Sequence, residues 1–476
     1  AALFVINLMT QFNFRKKLPS MSLAFVFLSL LFFQCQTYYQ RNIDYNSQLQ
    51  SHDYSGADKS LEKFKLLHKQ RNALLLVLEK GKVAHLQKKY AESNVYFNKA
   101  DLLIEDYNKV LKDYLVSTTI NSQLSFYKPE EFEKVLIHYY KALNYIYLGN
   151  YEDALVEAKR INLQLQQLDD KYKQDKNRYT KDAFAHILMG LIYEATSDIG
   201  NAFIAYRNAL EIYQAHGDVY MNVPLPNQLK KDVIRCASLN GFTDIQNKYE
   251  KEFGMTFNKE DVPNKELILF WENGLSPVKE EWSVNFTVLP GQTGFVTIVN
   301  ADLGISIPIQ LSNSNTVSAS DFKMIRLAFP KYTDRQSLYK DITVHVGSKD
   351  YKPELIEDVN TIARQTLKDR FASEIASALS RLIVKQAAEI ALQKQNKDLG
   401  AVLSVVNSVT EKADTRQWQS LPDQISYARI PIENETQLSA TIISISGQTK
   451  KEEFNLPKNN SALSFMNIYN LESRLR

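Results

Sequence analysis

The chain has 476 residues, 44% of them hydrophobic, with 57 basic and 54 acidic side chains and a net charge of +3. That length supports more than one hydrophobic core, and so even a charge balance excludes a nucleic-acid footprint. Two cysteines in 476 residues exclude a disulfide-stapled scaffold.

Arg15, Lys16 and Lys17 precede an apolar run from Met21 to Phe33, which stops at Gln34-Cys35. A run of about thirteen residues fits the h-region of a secretory signal and falls short of the roughly 20 residues that a spanning helix needs. The pattern predicts a lipoprotein-type signal peptide over 1–34, with translation starting at Met9 and residues 1–8 an upstream artefact. Cys35 is then the acylated first residue. Gln34 departs from the small residue that usually precedes such a cysteine. Residues 35–58 are polar and weakly patterned, and read as a tether.

Residues 59–258 read as helix throughout most of their length. Pro is nearly absent, Ala, Leu, Lys and Glu dominate, and apolar residues recur at i, i+3 and i+4. Three stretches repeat one frame: Gly81, Tyr90, Phe97 and Ala100; Ala142, Tyr145, Gly149, Tyr151 and Ala154; Gly190, Tyr193, Ala202, Tyr206 and Ala209. A small residue in the first helix of a hairpin admits an aromatic from the second, as in tetratricopeptide units. The matches are spaced by 61 and 48 residues, so the array is irregular. Projecting the frame places Leu136, Tyr139, Leu143, Ile146 and Tyr147 on the inner face. That surface either takes an apolar partner segment or is filled by the C-terminal half.

Residues 259–450 alternate strand-like runs (ELILFWENG, EWSVNFTVL, GFVTIVN, ISIPIQL, KMIRLAFP, DITVHVG, QISYARIPI, QLSATIISIS) with Gly, Pro, Asn and Asp. A long helix is expected from about Glu354 to Gln395, packing its apolar stripe on the adjoining sheet, and a second from about Leu399 to Lys412. Residues 451–476 read as a polar tail. The fold class is α+β: an N-terminal irregular tetratricopeptide-like helical array, then a β-rich C-terminal domain with one long helix.

No spacing supports chemistry. The histidines at 52, 68, 85, 138, 186, 216 and 345 are scattered, with no paired ligand motif, so no metal site is expected. No nucleophile elbow or phosphate loop is present, and neither a cofactor nor a catalytic residue is assigned. All three tryptophans, Trp271, Trp282 and Trp418, fall in the β-rich half.

Two strings are less generic: FWENGLSPVKEEW (Phe270 to Trp282) and EKADTRQWQSLPDQISYARIP (Glu411 to Pro431). With them, the repeat frame and the Cys35 signal, the chain resembles a family of bacterial tetratricopeptide lipoproteins common in Bacteroidetes, from roughly Cys35 to Pro431. The resemblance implies an outer-membrane-anchored helical-repeat protein and carries no established activity. The expectation is a lipid-anchored interaction scaffold facing the periplasm, with other envelope proteins as partners and the membrane reached through the lipid. A glycan-binding module or enzyme in the β-rich half, with the tryptophans as stacking platforms, is the alternative. A third is an accessory subunit of a secretion or cell-surface machine.

Overall fold

A computed structural model describes residues 37–114, 125–171, 179–292, 295–311, 319–322, 325–395, 413–457 and 461–476. The signal peptide expected over 1–34, Cys35 and the helix expected over 399–412 lie outside the described residues. Among the described residues no helix is long and apolar enough to cross a membrane.

Helices begin at once: α1 (Tyr38–Arg41), α2 (Ile43–Gln50) and α3 (Tyr54–Lys63). The expected tether is therefore corrected. Tyr38, Tyr45, Asn46, Leu49 and Ala57 are buried, the amide of Asn46 by hydrogen bonds rather than by hydrophobicity. Next come α4 (Ala73–Leu86), α5 (Tyr90–Tyr114), α6 (Glu131–Tyr147), α7 (Tyr151–Lys171), α8 (Ala183–Ala195) and α9 (Ile199–Gln214). A small hairpin, β1 (Val219–Tyr220) with β2 (Val223–Pro224), leads to α10 (Asn227–Leu239) and α11 (Thr243–Phe253).

One turn joins each helical hairpin. His52, Lys88, Gly149, Ser197 and Gly241 all have φ between +60° and +78°. Each stands two residues before the first residue of α3, α5, α7, α9 or α11. The residue after each donates its N–H five residues back: Asp53 to Gln48, Lys89 to Ala84, Asn150 to Tyr145, Asp198 to Tyr193 and Phe242 to Ala237. This is a Schellman closure, and it sets the same bend in every hairpin. The turn of the frame read from three stretches thus recurs in five hairpins among the described residues, while the small residue of its first helix stays with the three. Inside it, the absent side chains matter: a β-carbon on Gly81 would lie 2.6 Å from the Phe97 ring, and one on Gly190 2.4 Å from that of Tyr206. Ala142, Ala154, Ala158 and Ala202 are fully buried at corresponding helix–helix contacts.

Among the described residues the C-terminal half builds three four-stranded sheets. The central one has the order β11 (Glu354–Asp358), β12 (Gln424–Pro431), β3 (Glu266–Asn273), β15 (Leu463–Asn470). Its pairings are antiparallel except β15 with β3, which run parallel with Ile468 opposite Trp271. The expected polar tail is thus corrected: it contributes β14 (Thr449–Asn455), β15 and β16 (Ser473–Leu475), and Phe465 and Ile468 are core residues.

Period-two alternation divides β3 between two cores. Leu267, Leu269 and Trp271 face an outer antiparallel sheet of β10 (Lys349–Tyr351), β9 (Tyr339–Val346), β13 (Gln437–Ser444) and β14. Ile268 and Phe270 join the core of the helical array, together with Ile425, Tyr427 and Phe465. A strand covered on both faces must be apolar throughout, which is why ELILFW shows no alternation. Array and central sheet therefore share one core, and Tyr38–Arg476 forms one compact unit.

The third sheet, β6 (Ile305–Gln310), β5 (Phe295–Asn300), β4 (Val278–Pro290) and β7 (Ile325–Thr333), packs on α12 (Val359–Gln395) through Ile375, Leu379 and Ile383. The long helix starts at Val359 rather than Glu354 because residues 354–358 pair with β12 instead. A short antiparallel pair is formed by β8 (Arg335–Ser337) with β16.

Candidate functional site

The inner face of the array is the surface where a repeat protein of this kind would take a ligand. Here it is filled. Leu136, Tyr139, Leu143 and Ile146 are 5% exposed or less, and Tyr147 is half-buried. The chain's own C-terminal half lies against it, through Glu272 on Tyr139 and Asn467 on Tyr147, so these five residues are not an open partner-binding groove.

Two parts of that half do so. The first is the irregular segment from Ala413 to Leu421, most of it inaccessible to solvent. The Trp418 ring packs 5.7 Å from that of Phe97 and 6.0 Å from that of Tyr140. Its backbone N–H donates to Glu133 at 2.9 Å, and the N–H of Gln419 donates to Glu79 at 2.7 Å. Glu133 also accepts from the Glu130 backbone N–H in a capping box at the start of α6, and from the Tyr127 hydroxyl at 2.6 Å. Glu79 accepts further bonds from Tyr45 and Ser420. Burial lifts the Glu79 carboxyl to about 7 against these donors. Arg416 reaches Asn72 at 2.7 Å, and Arg335 donates to the Gln419 carbonyl and to Asn46. The helices hold this segment as a binding groove holds a peptide, by backbone N–H groups and one aromatic anchor.

The second part is the face of β3 and β15. Glu272, fully buried, accepts from Lys82 at 2.7 Å, Tyr140 at 2.9 Å, Asn467 at 3.1 Å and Tyr139 at 3.3 Å. Burial pulls the Lys82 ammonium below its usual range while Glu272 opposes the shift. His85 bridges Asn144 at 2.6 Å and Tyr469 at 2.7 Å. Burial, with the nearby Lys82 charge, lowers it to about 3, so it stays neutral with one nitrogen donating and one accepting. Tyr147 hydrogen-bonds Asn467. Lysine, glutamate, histidine and tyrosine side by side have the composition of a catalytic centre. Lys82 and Glu272 have no exposed side-chain surface, so no substrate reaches them.

A third buried group ties α8 and α10 to β12. Arg235 grips Glu194 through two bonds, of 2.7 and 2.6 Å. Arg429 contacts Glu194 and Asp232 at 3.0 Å each and Glu266 at 2.5 Å, and Tyr427 donates to Asp232.

The tryptophans form no open platform: Trp271 and Trp418 are 6% and 1% exposed, and Trp282 stacks on Phe371. One cluster that sequence spacing does not reveal is Asp101, His138 and Glu157, whose ligand atoms lie within 4.8 Å of one another. The Lys141 ammonium already sits there, 2.6 Å from Asp101 and 3.0 Å from Glu157, so this cluster has a resident cation.

Sequence reasoning named the inner face but missed Glu79, Lys82, Glu133 and Glu272 on it and opposite it. Their signal was present. A Glu and a Lys within ALLLVLEKGKVAHL, or a Glu closing ELILFW, are charges in stretches that are otherwise core.

No family model matches the chain, and no curated protein is significantly similar to it. Among solved structures, two crystal structures of MamA are 15% identical to it, cover 44% of this chain and 87% and 91% of their own, and give a TM-score of 0.28. The apo form of RapI is also 15% identical, covering 45% of this chain and 68% of its own, with a TM-score of 0.32. Likeness at this level carries no functional argument.

Proposed function

We propose that this protein is a lipid-anchored envelope protein that works by holding protein partners, with Cys35 as the anchor and the outer membrane, periplasmic side, as its place. The observation behind the reading is the use made of the inner face. Its polar groups serve to weld the helical array to the central sheet, and the Lys82–Glu272 pair, with its catalytic composition, is sealed. Welding gives a rigid unit whose hairpins present their outer surfaces, and a lipid tether fixes location rather than chemistry. The glycan-binding alternative loses its stacking platforms, since two of the three tryptophans are buried.

Two measurements test the reading. A fatty-acid analogue should label the parent and leave Cys35→Ala unlabelled; equal label on both removes the anchor. Crosslinking in intact cells should recover the same envelope proteins with parent and with Glu272→Gln at matched protein level. If loss of function in a folded, partner-binding carboxylate variant is found instead, the protein is an enzyme.

A further inference from the structure

The repeat register carries a second message, on the outer helices. Gly81 lies 16 residues before Phe97, as Ala142 does before Ala158 and Gly190 before Tyr206. Counting back two residues from Phe97, Ala158 and Tyr206 gives Val95, Val156 and Ile204. They are 66%, 52% and 46% exposed, among the most exposed large hydrophobic side chains of the protein. Counting forward five gives Leu102 and Leu163, 62% and 55% exposed, with Glu211 at the third position. Scattered exposed aliphatics are ordinary. Five at corresponding positions of three consecutive hairpins are a surface. On each of α5 and α7 the two aliphatics stand seven residues apart, two turns or about 10 Å along the helix axis.

Between these rows lies a basic one. Lys99 stands between Val95 and Leu102, Lys159 and Arg160 stand between Val156 and Leu163, and Arg207 follows Ile204. Arg160 shares its charge with Asp101 and Glu157, and Arg207 with Glu211. Lys99 and Lys159 are exposed and have no carboxylate partner among the described residues; Lys159 lies near the Tyr193 ring. Exposed Glu92 and Asp153, one turn before the first apolar row, would hold this face back from an anionic bilayer. A single helix laid along the basic row avoids them.

We infer that the outer face of α5, α7 and α9 is a docking surface for an acidic amphipathic helix of a partner protein, its carboxylates on Lys99, Lys159, Arg160 and Arg207 and its apolar side chains on the two aliphatic rows. The inference rests on the interaction reading above and names the partner's chemistry. Helix-on-surface recognition of this kind reads apolar anchors at helical spacing and fixes register by charge.

The test uses the full chain in its own cells, with photoreactive p-benzoylphenylalanine replacing Val156, Leu163 or Ile204. All three positions should capture one protein, through a contact peptide that is acidic and apolar at helical spacing. Lys99→Glu with Lys159→Glu should cut the adduct yield about tenfold and leave the thermal midpoint where it was. Adducts to lipid, to a second copy of this chain or to nothing overturn the inference, as does a yield indifferent to charge reversal. If envelope partners are recovered by general crosslinking while these positions capture none, the docking surface fails and the scaffold reading stands; if neither recovers a partner, both fail.

Discussion

Trp418 donates its backbone N–H to the Glu133 carboxylate at 2.9 Å, across 285 residues of sequence. Glu133 at the same time closes the first turn of α6, so one side chain starts a repeat helix and fixes the segment that fills the groove. Removing the indole should therefore cost what a large core aromatic costs. Trp418→Ala is expected to lower stability by about 3–5 kcal/mol, read as the shift in the urea midpoint of the soluble chain. A loss under 1 kcal/mol would mean the segment is dispensable.

The inner and outer faces should respond to charge in opposite ways. Tyr139→Glu places a carboxylate in a fully buried site beside Glu272, and we expect no soluble folded protein. Val156→Glu, at a half-exposed site, should stay within about 0.5 kcal/mol of the parent. Circular dichroism melts of the two variants decide between the faces, and similar melts would contradict the burial described.

At the Lys82–Glu272 pair, removing one partner strands the other charge. Glu272→Leu or Lys82→Met alone should cost about 3–5 kcal/mol, and the double variant less than the sum of the two. Strict additivity in denaturant titrations would show that the two charges do not interact.

Glu79 gives a pH signature. Its carboxyl holds a proton to about 7 in the folded state, against 4.5 ordinarily, because it is desolvated. Between those values the folded chain binds more protons than the unfolded chain, so this group's contribution is full below pH 4.5 and is lost as pH rises through 7. The stability of parent relative to Glu79→Gln should fall by about 3 kcal/mol over that window, at 1.36 kcal/mol per unit. A flat difference between the two pH–stability curves would exclude the buried acid.

Gly190→Ala should cost about 1–3 kcal/mol by overpacking the Tyr206 ring, which cannot retreat from a helix–helix contact. Gly149→Ala meets no atom within 4 Å and should cost only the strain of φ near +78°, about 1 kcal/mol. Equal thermal shifts from the two would undo the assignment of packing to one glycine and backbone conformation to the other.

What the sequence revealed and concealed follows one line. Hairpins whose contacts are made by Gly, Ala and rings are legible, because close approach demands those residue types. The doubly covered β3 is legible because no polar residue interrupts it before Glu272. The helices over 38–63 are concealed because their burial is made by Tyr45, Asn42 and Asn46 through hydrogen bonds to Glu79 and Gln419, so their composition reads as solvent-facing. The strand β15 is concealed because parallel pairing with β3 leaves no turn signal between the partners. The filling of the inner face sets Glu133 against Trp418, and no local pattern reports a contact of that separation.

The parallel ladder between β15 and β3 governs when the molecule can mature. Leu463–Asn470 is synthesised long after Glu266–Asn273, yet it lies against that stretch in the central sheet. The Trp418 segment likewise arrives long after the helices that grip it. Loop closure on that scale comes late and slowly, and until then the apolar face of α6 has nothing to lie on. A nascent chain of this topology stays open until Leu463–Asn470 has emerged, the state in which a polypeptide can be threaded through a narrow channel. The cost of that delay is a long exposure of Leu136, Tyr139 and Leu143, the surface a holding chaperone would recognise.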